Sequence, residues 1–210
     1  MSNVNSGGEI RYRTYKSITD QFEGVSLNAT PSSFQNVRNH EQFYDWFEHV
    51  ALKAMYADDW YNGDRVKWKS QRFLSDRSNF IVGVPYLKQM RVRNESLLWH
   101  EDDEEMGTFG EKWSNFSESV SENMVFSRKD RYKQKLWNYT VPKTSINFPA
   151  WYNTYSEGGF GTELGNNKNK TVNIFNYIKD NSWITNKTRA VLLEFTTFNP
   201  SRKMFASVTI

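Results

Sequence analysis

The sequence predicts a domain of the α+β class, and three stretches of the 210-residue chain carry this prediction. An amphipathic helix begins after Asn39, an alternating strand follows Pro85, and the C-terminal stretch reads as a β-hairpin. Aromatic residues make up 16% of the sequence, so large rings can form a core although the mean hydropathy is −0.77. We expect a single domain over residues 9–210, preceded by a disordered lead over residues 1–8.

Two helices follow from the spacing of apolar residues. Asn39 is the expected N-cap of the first helix, Glu41 lies in its first turn, and the helix should end before Trp60. Apolar residues recur in it at spacings of three and four, at Phe43, Trp46, Phe47, Val50, Ala54 and Met55. A second, shorter helix is expected from Thr171 to Asn181, with Val172, Phe175 and Ile178 on one face.

The clearest strand signal follows Gly83 and Pro85, which punctuate the backbone. One side of this strand carries Tyr86, Met90 and Val92, and the other carries Leu87, Gln89, Arg91 and Arg93. A period of two predicts a strand with an arginine-bearing face. We expect Arg91 and Arg93 to pair with acidic groups or carbonyls.

The C-terminal part of the sequence predicts further strands. The hairpin should run from Thr188 to Phe198, turn at Asn199–Arg202, and return through Met204, Ala206, Val208 and Ile210. Residues 148–155 are expected to form one more strand, and Gly158–Gly161 a bend.

Residues 97–147 are the least regular part of the sequence, and we interpret them as one long excursion. The segment is acidic at 101–105, rich in serine, and basic at 128–135, with Trp113, Phe116 and Trp137 as expected anchors. The acidic run is interpreted as a solvated loop, with a weak cation site as the alternative. Loops of this length in compact domains are usually functional, so we expect this one to form contacts.

Composition restricts the class of protein. The net charge of +3 is interspersed along the chain, which gives little support to nucleic-acid binding. Absence of cysteine excludes disulfides and by itself favours a reducing compartment. Six N-glycosylation sequons argue against a reducing compartment, although composition alone would give roughly three sequons. The sequons are at Asn28, Asn94, Asn115, Asn138, Asn169 and Asn186.

No catalytic, cofactor or metal residues are expected. The three histidines lack the spacing of a helical metal pair. The glycines from Gly159 to Gly165 do not open a helix, as a phosphate-binding loop requires. Carboxylates and aromatic residues are plentiful, so a secreted glycan-binding or glycan-cleaving module is the alternative function.

The stretch GVPYLKQMRVRNES, residues 83–96, resembles the GVPRxRQLRVRNGS segment of polycystins, the TRPP cation channels. A second stretch, Trp183 with residues 188–199, is similar to the WxxxxTRAxFxxFxxYN block of that family. Residues 43–60 and 155–164 resemble two further family segments in the same order. The motif residues carried over are Gly83, Pro85, Arg91, Arg93, Trp183, Arg189, Phe195 and Asn199.

The resemblance implies the extracytosolic polycystin (TOP) domain between the first two transmembrane helices of a multi-pass protein. In that family the fold is an antiparallel sheet packed with a few helices and a long protruding loop. Four subunits form a ring and touch through this loop. The expected partners are therefore neighbouring subunits, N-glycans and a plasma, ciliary or endoplasmic-reticulum membrane. No enzymatic activity is implied.

Two positions depart from the family pattern. Leu97 stands where polycystin-2-like members carry a cysteine, so the excursion must be held without a disulfide. Asn199–Pro200 is closer to polycystin-1-like members, so the branch stays open.

Overall fold

The architecture is a five-stranded antiparallel sheet combined with helices, which confirms the predicted α+β class. In this computed structural model the described residues are 6–23, 33–56, 62–67, 71–93, 97–98, 112–113, 121–122, 138–140, 147–149, 154–156 and 158–210. The helices are α1 (Ser6–Glu23), α2 (His40–Trp46), α3 (Leu52–Met55) and α4 (Lys168–Asp180). A short 3₁₀ turn, Phe34–Asn36, precedes α2, and a π-helical segment, Phe47–Ala51, joins α2 to α3.

The strands form one large sheet and two small pairs. They are β1 (Phe80–Arg91), β2 (Leu97–Leu98), β3 (Lys112–Trp113), β4 (Asn138–Thr140), β5 (Asn147–Pro149), β6 (Thr154–Ser156), β7 (Gly159–Glu163), β8 (Thr188–Asn199) and β9 (Met204–Thr209). The large sheet has the order β4-β7-β1-β8-β9, while β2 pairs with β3 and β5 pairs with β6. Strand β1 lies at the centre of the sheet and β9 at one edge.

The chain divides into two compact units, each built from several segments. The first comprises residues 1–85, 164–176 and 195–208, and the second residues 86–163, 177–194 and 209–210.

The first unit has an aromatic core. Phe47, fully buried, stacks on Phe175 with ring centroids 4.1 Å apart and planes 13° from parallel. Phe22 of α1 packs against Phe195 at 5.3 Å, and its backbone carbonyl accepts a hydrogen bond from Trp46 Nε1 at 2.9 Å. This bond satisfies the polar atom of a buried indole, so the ring can serve as core.

The first helix of this core begins as predicted. Asn39 is the N-cap of α2, and its side chain accepts a hydrogen bond from the backbone amide of Gln42 at 2.9 Å. The helical stretch ends at Met55, before Trp60, as expected.

The second unit is built on the later part of β1. Residues Tyr86–Gln89 pair antiparallel with β7, and β7 pairs with β4. Met90, Val92 and Tyr155 form a small apolar cluster, against which Ala190 and Leu192 pack. The N-terminal half of β8 therefore supplies this unit with side chains.

Several elements differ from the prediction. Helix α1 was not predicted, and it includes Ser6–Gly8, which the sequence analysis placed in a disordered lead. The single strand predicted at 148–155 is instead an antiparallel pair, β5 and β6. Helix α4 begins at Lys168, three residues before the predicted start. The C-terminal hairpin is confirmed as β8 and β9, with the turn between Asn199 and Met204.

The glycine-rich stretch predicted as a bend is strand β7, and close packing explains its glycines. A Cβ on Gly159 would lie 2.7 Å from the backbone oxygen of Gln89, and one on Gly161 would overlap the ring of Tyr86. Glycine at these two positions lets β7 lie close to β1, because a side chain would not fit there.

Most of the predicted excursion lies outside the described residues. Within 97–147 the structure describes the pair β2–β3, residues 121–122, β4 and the first residue of β5. The acidic run 101–105, Phe116 and Trp137 lie outside them, and so do residues 1–5 of the predicted lead.

Candidate functional site: a buried polar cluster on strand β1

Six consecutive residues, Leu87–Val92, are buried, so the last five residues of β1 and the residue after it have no solvent-facing side. Three of the six, Lys88, Gln89 and Arg91, are polar or charged. A buried polar group without a partner destabilises the fold, so each of these side chains needs a specific acceptor or donor. The predicted arginine-bearing face is therefore an internal polar cluster at Arg91.

Gln89 joins the segment that follows α4 to the start of β8. Its Nε2 donates to the backbone oxygen of Trp183 at 3.0 Å, and its Oε1 accepts from the hydroxyl of Thr188 at 2.9 Å. The side chain of Gln89 is fully buried. Both ends of its amide are thus satisfied within the core.

Arg91 forms a buried ion pair. Its Nε donates to Oε2 of Glu122 at 2.9 Å, and its Nη1 lies 3.5 Å from the oxygen of Trp183. The two side chains of the pair are only 6% and 8% exposed. Burial lowers the pKa of Arg91, and the neighbouring carboxylate of Glu122 opposes that effect. An arginine stays protonated even so, and the pair remains ionic.

Arg93 bonds to the same short segment as Arg91. Its Nε donates to the backbone oxygen of Ser121 at 2.9 Å, while Val92 and Ser121 form an antiparallel β-bridge. The two arginines thus meet a carboxylate and a carbonyl, the kinds of acceptor expected from the sequence.

A second ion pair lies on the same strand. Lys88 Nζ is 2.6 Å from a carboxylate oxygen of Glu194, and the Glu194 side chain is 28% exposed. This pair links β1 to β8 and was not predicted from the sequence.

Trp183 and Arg189, two other motif residues of the second unit, are held by burial or by hydrogen bonds. Trp183 is fully buried. The Nη1 of Arg189 donates to the backbone oxygen of Asn186 at 2.7 Å, and the oxygen of Arg189 accepts from the Tyr155 hydroxyl at 3.1 Å. Burial raises the pKa of Tyr155 and lowers that of Arg189.

The remaining motif residues belong to the first unit. Gly83 has a φ of +77°, which favours glycine, and its oxygen accepts a hydrogen bond from Arg72. The oxygen of Pro85 accepts from the amide of Leu164 at 2.8 Å. Buried Asn199 donates to the Asn79 side chain at 3.1 Å and accepts from the amide of Arg202 at 3.0 Å. Asn199 thereby fixes the hairpin turn.

Three of the six sequons fall on described residues. Asn169 and Asn186 are exposed, the first in the opening turn of α4 and the second in the turn before β8. Asn138 lies in β4 and pairs with Gly161. Asn28, Asn94 and Asn115 lie outside the described residues.

No metal cluster is found in the described part of the chain. There, no three His, Cys, Asp or Glu residues are grouped to hold a metal ion. A cavity of about 540 Å³ in the first unit is lined by Tyr56, Arg65, Gln71, Asn167 and Lys168, and no carboxylate is among its described lining residues.

Sequence reasoning missed Glu122, the acidic partner of Arg91. The two residues are 31 positions apart, in a segment without periodicity. The only available signal was indirect: a buried arginine on a central strand requires an acid somewhere in the chain.

The chain matches one protein family over most of its length. A sequence model of the polycystin domain matches residues 33–210. Polycystin-2 of Danio rerio is 29% identical over 204 residues, covering 95% of this chain and 22% of the relative. Human polycystin-2-like protein 1 is 26% identical, covering 84% of this chain and 22% of that protein.

A polycystin-1-like relative matches the same region. Mouse polycystin-1-like protein 3 is 24% identical over 191 residues, covering 84% of this chain and 8% of that protein. The chain thus spans about a fifth or less of the length of these relatives. Among its described helices, none combines the length and apolar character of a membrane span. With the family match over residues 33–210 and the motif-bearing strand at the centre of its sheet, the chain belongs to the polycystin-domain family.

Proposed function

We propose that this chain is the extracytosolic domain of a polycystin-like cation-channel subunit, and that it contacts neighbouring subunits and influences gating. The family match over residues 33–210 carries the proposal. In the proposed assembly the chain has no enzymatic role, and flanking helices outside this sequence attach it to a plasma, ciliary or endoplasmic-reticulum membrane.

The surroundings of the motif residues support a structural role for the family signature. Arg91, Trp183 and Asn199 are buried, and each of them hydrogen-bonds within its own unit. Groups held in this way cannot bind a substrate without breaking those bonds. The signature therefore supports the fold, and subunit contacts have to come from exposed surface.

Exposed apolar side chains provide such surface on the C-terminal hairpin. Phe205 of β9 is 67% exposed, and its ring lies 4.7 Å from that of Phe198. In the proposed assembly this pair of rings is available for a subunit contact.

Sequencing the parent transcript on both sides of this segment tests the proposal most directly. We expect hydrophobic stretches of about 20 residues to bracket the domain. The full protein should then be expressed with two different tags, and one tag should capture the other from detergent extracts. A reading frame without hydrophobic helices that yields a secreted protein would support the glycan-binding or glycan-cleaving module instead, and binding to a glycan array would then distinguish it.

N-glycans are expected on Asn169 and Asn186 when the parent protein passes through the secretory pathway. Both side chains are exposed, so an attached glycan meets no packed core. Mass spectrometry of glycopeptides before and after enzymatic deglycosylation measures their occupancy.

The control for this prediction changes the asparagines and keeps the threonines. Thr171 and Thr188 hydrogen-bond to Tyr56 and Gln89, so replacing them would also disturb the core. Asn169→Gln and Asn186→Gln should each remove one glycan and leave the melting temperature unchanged. Unmodified asparagines in a protein with secretory-pathway glycans elsewhere would contradict the prediction.

A further inference from the structure

The end of the central strand lies beside a segment far along the chain. Residues Arg91–Arg93 contact residues Ser121–Glu122 across a separation of 28 to 31 positions. The chain has no cysteine, so no disulfide can close this long loop. Closing a loop of this length restricts the chain, and attractive contacts at its two ends must offset the lost entropy.

Three hydrogen bonds between described residues join the two ends. The amide of Glu122 donates to the oxygen of Arg91 at 2.8 Å, a bond that belongs to the antiparallel bridge between Val92 and Ser121. Arg91 Nε donates to the Glu122 carboxylate, and Arg93 Nε donates to the Ser121 oxygen, each at 2.9 Å. One backbone bond and two side-chain bonds thus act on two consecutive residues, Ser121 and Glu122.

We propose that Arg91, Arg93, Ser121 and Glu122 form an arginine clamp that closes the loop between β1 and residue 121 in place of a covalent cross-link. The ion pair gives the clamp its specificity. Its atoms are shielded from water, since both side chains are less than a tenth exposed. Buried pairs are screened little by salt, so the clamp holds at physiological ionic strength.

Arginine suits this position better than lysine. Its planar guanidinium directs Nε to Glu122 and Nη1 toward the Trp183 oxygen, so one side chain orients both acceptors. A lysine ammonium is a point charge without this fixed geometry. The clamp therefore determines where Ser121 and Glu122 lie along β1, in addition to holding them there.

The test is hydrogen exchange by mass spectrometry on the 210-residue chain, comparing wild type with Glu122→Gln and Glu122→Ala. We expect peptides covering residues 91–93 and 121–122 to exchange about tenfold faster in both variants, while peptides of β9 keep their wild-type rates. Protease sites between residues 94 and 120 should also be cut faster than in wild type.

The matched control is Glu194→Gln, which breaks the other ion pair of β1 without touching Ser121 or Glu122. It should leave exchange at residues 121–122 unchanged. If Glu122→Ala fails to fold, the result for Glu122→Gln is used alone, because glutamine keeps the size and one acceptor oxygen of glutamate but not its charge. Wild-type exchange at 121–122 in Glu122→Gln, or an increase spread evenly over the whole chain, would overturn the clamp.

Discussion

Replacing Phe47 with alanine is expected to lower the free energy of unfolding by about 3–5 kcal/mol, the usual range for a fully buried phenylalanine. Phe47 has no exposed surface and stacks on Phe175 at 4.1 Å, so its removal leaves a cavity between the helices of the first unit. Urea denaturation followed by tryptophan fluorescence measures the change, because Trp46 is its buried neighbour.

The control for Phe47→Ala is Phe205→Ala, which removes the same ring from a side chain that is 67% exposed. We expect the control to change the free energy of unfolding by less than about 0.5 kcal/mol. Equal losses in the two variants would show that the stacked pair is not the centre of the core.

Replacing Arg91 with alanine is expected to destabilise the chain by about 3–5 kcal/mol, because it leaves the Glu122 carboxylate buried without its ionic partner. Arg93→Ala removes one hydrogen bond to a carbonyl and should lower the stability by about 1 kcal/mol. Denaturant midpoints of the two variants test this order.

A double variant separates loss of the pair from loss of packing. Arg91→Met with Glu122→Leu replaces both charges by apolar side chains, so it should regain most of the stability that Arg91→Ala loses. A double variant as unstable as Arg91→Ala would show that the unpaired Glu122 carboxylate is not the cause of the loss. A structural role for Arg91 is excluded if Arg91→Ala melts at the wild-type temperature with unchanged subunit contacts.

The elements that sequence reasoning predicted well are those defined by local chemistry. Asn39 caps α2 because its own side chain reaches the amide of Gln42, three residues away. The hairpin turn follows Asn199, whose side chain bonds to Arg202 within the same turn. Partners so close in sequence leave a pattern that can be recognised without any knowledge of the fold.

The elements that it missed depend on distant partners. Gly161 is a glycine because the ring of Tyr86 lies against it, and sequence spacing cannot show that contact. Helix α1 buries a narrow stripe, Thr14, Ile18 and Phe22, of which one member is polar. Of the candidate site, the two arginines were predicted and their need for acceptors was expected, whereas Glu122 was found only in the folded chain.

In the π-helical segment Phe47–Ala51, the number of residues matters as much as their chemical type. A π-turn contains one residue more than the α-helical turn that it replaces. Deleting that residue would give a regular helix but rotate Leu52 and Met55, both buried, by about 100° around the axis. We therefore expect related sequences to vary at the exposed Glu48 and His49, yet to align without gaps between Trp46 and Leu52.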